Sequence, residues 1–223
     1  MRFEARAVLF DLDGTLVDSA PDLTVAVNAA RQSVGMVAVG VEDVRRWLGN
    51  GAQRLVHRAL TNDAAEMNAP AERFDVAWPV FLETYQRHVC EASSVYPGGR
   101  EALESLVSRG YRLGCVTNKP ERFTRDLLEK LKLDRFFEVT VAGDTLPVKK
   151  PDPAPLLHAL GRLGAEPVQA MMVGDSVTDV KAARAAGSVV ICVSYGYNHG
   201  LDIRAAGPDA VIDSLAQLGE LLR

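Results

Sequence analysis

The stretch that most constrains this chain is Ala7-Val8-Leu9-Phe10-Asp11-Leu12-Asp13-Gly14-Thr15. Four apolar residues stand between Arg6 and an Asp/Gly turn, the pattern of a short strand buried on both faces. Asp11 and Asp13 follow, two positions apart, and residues i and i+2 of an extended segment point the same way. Two converging carboxylates repel unless one is protonated or a cation lies between them. A hard divalent ion with oxygen ligands, such as Mg²⁺, answers that problem. The alternative is a plain turn at Asp13-Gly14 with a polar strand end at Asp11. The rest of the chain decides between them.

With 223 residues, 48% of them apolar and 24% charged, the chain has the composition of an ordinary globular protein. Its length suits one large domain or one domain with an inserted module. A net charge of −4 argues against a nucleic-acid scaffold, which would normally be basic. No apolar run reaches the roughly 18 residues that span a bilayer, and charge interrupts the N-terminal stretch where a signal-peptide core would lie. The three cysteines, Cys90, Cys115 and Cys192, form no CxxC pair, which argues against a disulfide framework or a zinc site. Cys115 and Cys192 lie in apolar runs and read as buried thiols. The expectation is a cytoplasmic protein, a monomer or small homo-oligomer, with no membrane and no nucleic-acid partner.

From Ala20 to about Glu91 the signals are helical. Ser19 is a candidate cap with Pro21 in the first turn, and Leu23, Val27, Ala30 and Val34 follow at helical spacing. Shorter helices are predicted over Val41–Leu48 and Ala52–Leu60, separated by Gly49-Asn50-Gly51. A longer one is predicted over Ala71–Cys90, with Pro79 as a potential kink. Residues 93–99 read as a linker. Beyond them strands and helices alternate. Strands are predicted at Arg112–Val116, Glu138–Ala142, Ala170–Val173, Val189–Val193 and Ala210–Ile212, and a closing helix over Leu215–Leu222. Such alternation means βα units on a parallel sheet. The predicted fold is α/β, a Rossmann-like parallel sheet flanked by helices, with a helical cap inserted after strand one. Residues 1–18 and 94–223 would form the core and 19–93 the cap.

Ligands of parallel α/β sheets bind beyond the C-terminal strand ends. There this sequence places Asp11 and Asp13, then Thr117-Asn118, then Lys149-Lys150-Pro151, then Asp175-Ser176 with Asp179. These types suit phosphoryl transfer. One carboxylate can attack phosphorus, splitting the hydrolysis in two, and another can move the proton. A hydroxyl, backbone N–H groups at a helix start and a lysine can hold phosphate oxygens.

In order and register, Phe-Asp11-Leu-Asp13-Gly14-Thr15, Val-Thr117-Asn118, Lys150-Pro-Asp-Pro and Gly174-Asp175-Ser176-Val-Thr-Asp179 resemble the four motifs of the haloacid dehalogenase (HAD) superfamily. The resemblance spans nearly the whole chain. It implies Asp11 as nucleophile, Asp13 as acid/base, Thr117 and Asn118 as phosphate-binding residues, and Lys150 rather than Lys149 as the lysine. The implied Mg²⁺ ligands are the Asp11 side chain, the Asp13 main-chain carbonyl and Asp175, with Asp179 binding directly, through water or through Ser176. The acid at Asp13 argues against the dehalogenases and P-type ATPases of the superfamily. Trp47-Leu-Gly49-Asn50-Gly51-Ala52 is similar to a cap stretch of bacterial phosphoglycolate phosphatases, which implies a small phosphorylated metabolite, 2-phosphoglycolate, as substrate. Gly51 and Arg54 would then read its carboxylate. Pyrophosphatase, sugar-phosphate phosphatase, nucleotidase and β-phosphoglucomutase activities remain open, as does a non-catalytic phospho-metabolite binder. Arg45-Arg46 reads as a solvated face, and His57, His88, His158 and His199 as non-catalytic.

Overall fold

In the computed structural model, which describes residues 2–65 and 68–223, the apolar run forms β1 (Ala7–Phe10), fully buried throughout. Val8 and Phe10 enter one hydrophobic cluster and Ala7 and Leu9 the other, so the strand is apolar because both faces are covered. Around it lie β4 (Arg112–Val116), β5 (Val139–Val141), β6 (Ala170–Gly174), β7 (Val189–Val193) and β8 (Ala210–Ile212). They form a six-stranded sheet of order β5-β4-β1-β6-β7-β8, with every pairing parallel. The crossing helices are α5 (Gly99–Ser108), α6 (Glu121–Lys130), α7 (Ala154–Leu163) and α8 (Val177–Ala186).

Register fixes the working rim. Phe10 pairs with Cys115 on one side and Val173 on the other. The next residues, Asp11, Val116 and Gly174, therefore end level with one another, and Thr117 and Asp175 follow. The chain leaves β1 toward β4 and later crosses back to β6, so the strand order reverses about β1, the place where such sheets bind ligands.

Between β1 and β4 the chain makes an excursion. Val17–Asp18 (β2) and Ser94–Val95 (β3) pair antiparallel, and between them stand α1 (Ala20–Ser33), α2 (Val41–Trp47), α3 (Ala52–Thr61) and α4 (Ala71–His88). The two-residue ribbon was not expected from sequence, because two residues show no period. Pro79 stays inside an unbroken α4. His57, Phe74, Trp78, Phe81 and Tyr85 stack one on the next with centroid separations of 4.0, 5.6, 5.7 and 5.9 Å. The last four lie at the three- and four-residue spacings of one α4 face, and this ladder aims Tyr85 at the sheet rim. At the C-terminus the expected helix is a 3₁₀ turn (Leu215–Gln217) followed by the short α9 (Leu218–Leu221). Ser214 caps that turn, and Leu222 bridges to Phe3. Among the described residues no helix is long and apolar enough to cross a membrane.

Asp22 of α1 is buried, and its carboxylate accepts from Ala92 N and Ser93 N, both at 2.8 Å, and from Ser93 Oγ at 2.5 Å. It joins the chain entering the helical insert to the chain leaving it. Asp22→Ala strands two backbone donors and is expected to cost about 2–4 kcal/mol of unfolding free energy. A urea titration of both proteins reads this as a lower midpoint.

Candidate active site

Asp11 and Lys150 meet immediately beyond the sheet. Lys150 Nζ lies 3.1 Å from Asp11 Oδ1 and 2.7 Å from Asp179 Oδ1, and the Lys150 side chain is only 1% exposed. Leu12 N donates to Asp11 Oδ1 at 2.7 Å. Asp179 is held by its own helix start, where its Oδ2 accepts from Asp175 N, Ser176 N and Ser176 Oγ at 3.2, 3.1 and 2.7 Å. The reciprocal Ser176–Asp179 capping of α8 explains this acid four residues after Asp175. Asp175 accepts from Thr15 Oγ1 at 2.9 Å and from Tyr197 N. Gly14, at φ +85°, lets the turn pass Asp175; a Cβ there would stand 2.3 Å from Asp175 Oδ2.

Carboxylate oxygens of Asp11, Asp175 and Asp179 lie within 4.8 Å of one another. Burial, with the Asp179 charge adding to it and Lys150 opposing it, pushes the Asp11 carboxyl up to about 7. Burial and the same neighbouring acids raise Asp175 well above the usual carboxylate range. Burial works against the charge of Lys150, but Asp11 and Asp179 outweigh it and raise its pKa. Three clustered carboxylates, two of them fully buried, thus have one ammonium among them, which pairs with Asp11 and Asp179. An all-oxygen donor set short of positive charge fits a hard divalent cation.

Thr117 and Asn118 stand at the end of β4 as expected. Asn118 Nδ2 donates to the Lys150 carbonyl at 2.9 Å and ties the two loops together. Lys149 is exposed and Lys150 buried, which separates the neighbouring lysines that sequence left adjacent. Asp11, Asp13, Thr117 and Asn118 line one cavity of about 50 Å³. Its far wall comes from the helical insert and includes Leu23, Leu48, Gly51, Leu55 and Tyr85. Gly51, the residue before α3 at φ +90°, lines this wall; Arg54 does not line the cavity.

Asp13 has a partner not expected from sequence. Lys119 Nζ donates to its two oxygens at 3.1 and 3.0 Å and to Tyr85 Oη at 2.6 Å, and Ser19 Oγ donates to its Oδ1 at 2.6 Å. Ser19 therefore serves Asp13 and makes no side-chain cap on α1. Lys119 is buried. The available signal was its place in the loop that directly follows β4, beyond the strand end where ligands of such sheets bind. Arg45 is not merely solvated, since it pairs with Asp18 at 2.7 Å and lies 5.6 Å from the Tyr197 ring centroid. Asn50 reaches Thr178 of α8 at 3.1 Å. His199 contacts the Arg46 carbonyl at 2.9 Å through Nδ1, so it joins the core to the insert.

The haloacid dehalogenase-like hydrolase family matches residues 5–187. This chain belongs to that family. A Nitrosococcus oceani phosphoglycolate phosphatase is 49% identical, with 96% of this chain and 95% of that protein aligned. A Pseudomonas savastanoi phosphoglycolate phosphatase is 47% identical over 96% of this chain and 78% of its own length. Among solved structures, a predicted phosphoglycolate phosphatase from Haemophilus somnus superposes with a TM-score of 0.90 at 36% identity, covering 97% of both chains. In this hydrolase family the match takes in β1 through α8, and with them all four rim segments described above.

Proposed function

We propose that this chain is a Mg²⁺-dependent phosphomonoesterase that cleaves 2-phosphoglycolate to glycolate and phosphate through an aspartyl-phosphate on Asp11. The observation that carries this reading is the pairing of Asp11, held by Lys150, with Asp13, held by Lys119, on one small cavity. An Asp11 oxygen attacks phosphorus, the ester P–O bond breaks, and Asp13 gives its proton to the departing glycolate oxygen. Asp13 then takes a proton from water as that water attacks the phosphoryl group. Phosphate leaves and the Asp11 carboxylate returns. The Thr117 hydroxyl and the main-chain N–H of Asn118 grip phosphate oxygens, and Lys150 neutralises charge beside Asp11. Asp11, Asp175 and Asp179, with the Asp13 carbonyl, would hold Mg²⁺. When bound it supplies positive charge against the phosphate–carboxylate repulsion and aligns the phosphoryl group.

The helices of residues 19–93 serve as a cap on a core of residues 1–18 and 94–223, and a cytoplasmic setting suits the three free thiols. The names of the relatives, given above, support 2-phosphoglycolate as the substrate. Purified protein assayed for phosphate release on a panel of esters is expected to prefer 2-phosphoglycolate and to lose activity in excess chelator. Preference for a sugar phosphate or nucleotide would overturn the substrate, and undiminished turnover in chelator would overturn the metal.

Asp13→Asn is expected to slow alkyl phosphates by roughly 10²–10⁴-fold, with a much smaller loss on p-nitrophenyl phosphate, whose leaving group needs no proton. Parallel kcat/KM measurements on both esters check it, and equal losses would contradict the acid role.

A further inference from the structure

Beyond the phosphate end, the cavity that holds Asp11 and Asp13 is walled mainly by apolar side chains. Among the described residues its only cationic lining side chain is Lys119, with Leu23, Leu48, Leu55 and Phe123 around it. Lys119 is 3% exposed and sits beside Asp13, the residue that meets the leaving-group oxygen in the proposed reaction.

We infer that Lys119 is the specificity-determining residue that reads the carboxylate of the leaving group. The inference rests on the proposed substrate. An ammonium has three N–H donors. Here two meet the two oxygens of Asp13 and the third meets Tyr85 Oη. When one Asp13 oxygen turns to the ester oxygen, it gives up its place on Lys119, and that donor is freed at the leaving-group end of the cavity. In 2-phosphoglycolate a carboxylate lies one carbon from the ester oxygen. It can take the freed donor while the phosphate stays on Asp11, Thr117 and Lys150. The apolar wall keeps water from competing for the ammonium, so a charge-assisted hydrogen bond is stronger there than at a surface. A neutral alcohol in the same place leaves the buried ammonium less well neutralised, a cost that falls on the wrong substrate. Tyr85, fixed by the aromatic ladder of α4, holds the lysine from the side of the insert.

Selectivity is then a ratio of kcat/KM values, that for 2-phosphoglycolate over that for 2-hydroxyethyl phosphate, which carries an alcohol in place of the carboxylate. Lys119→Met is expected to lower this ratio ten- to a hundred-fold relative to the wild type, and Lys119→Gln to lower it similarly. Lys119→Arg, which keeps the charge, should retain more of it. Because both esters are measured on one preparation, any unfolded fraction cancels from the ratio, and Lys119→Gln stands in if Lys119→Met does not fold. A ratio unchanged in both neutral variants, whether both rates fall together or neither falls, would overturn the inference and leave Lys119 as a support for Asp13 alone. A wild-type enzyme with no preference for the acid ester would be seen before any variant was made, and would overturn the substrate reading and this inference together.

Discussion

Asp11→Asn is expected to lower kcat for 2-phosphoglycolate by at least about 10⁴-fold, the scale seen when a covalent nucleophile is removed. The amide matches the carboxylate in shape but lacks its nucleophilic oxygen. Its Oδ1 can still accept from Leu12 N, which now donates at 2.7 Å. Lys150 keeps Asp179 at 2.7 Å, so no buried ammonium is stranded. The substitution removes one of three crowded carboxylates, so the variant should melt at or above the wild-type midpoint. The joint result, a dead enzyme with undiminished thermal stability, distinguishes loss of a reacting atom from loss of fold. Residual turnover near the wild-type rate would assign the attack to another group.

Lys150→Met should fail in the opposite way, losing both activity and stability. The methionine fills the volume, but the buried Asp179 and the half-buried Asp11 are left without their cation. Breaking a buried pair by removing one partner costs about 3–5 kcal/mol, and urea unfolding with the midpoint and slope compared should show it. Turnover should fall by roughly 10²–10³-fold from the lost charge at the phosphoryl group. Lys149→Met changes an exposed neighbour and should leave stability within about 0.5 kcal/mol. Lys149→Met losing as much activity and stability as Lys150→Met would contradict the assignment of the buried lysine to the site.

The core was legible because its signals are local. β1 reads as a buried strand from four residues, and its position in the sheet follows from having both faces apolar. Asp11 and Thr117 directly follow apolar runs, and Asp175 follows one after a single glycine. Lys150 could be chosen over Lys149 only through resemblance, since nothing within the chain distinguishes two adjacent lysines until one is buried. Lys119 was missed because its partners are Asp13, 106 positions earlier, and Tyr85, 34 positions earlier. Neither relation leaves a mark in a local pattern. Arg45 carries the same lesson, because Arg45-Arg46 reads as a solvated face while Arg45 pairs with Asp18 across the neck of the insert. The ribbon of β2 and β3 is too short to show a period, and the C-terminal segment has helical composition but is turned by Ser214 and by its return to Phe3.

The central claim is that hydrolysis runs through a phosphoryl group carried on Asp11. Each in-line displacement inverts configuration at phosphorus. The stereochemical course can be read with an isotopically chiral phosphorothioate ester of glycolate hydrolysed in labelled water. Two displacements, first by Asp11 and then by water, give net retention, which is the expected result. Net inversion would mean that water attacks the ester directly, and would contradict the account.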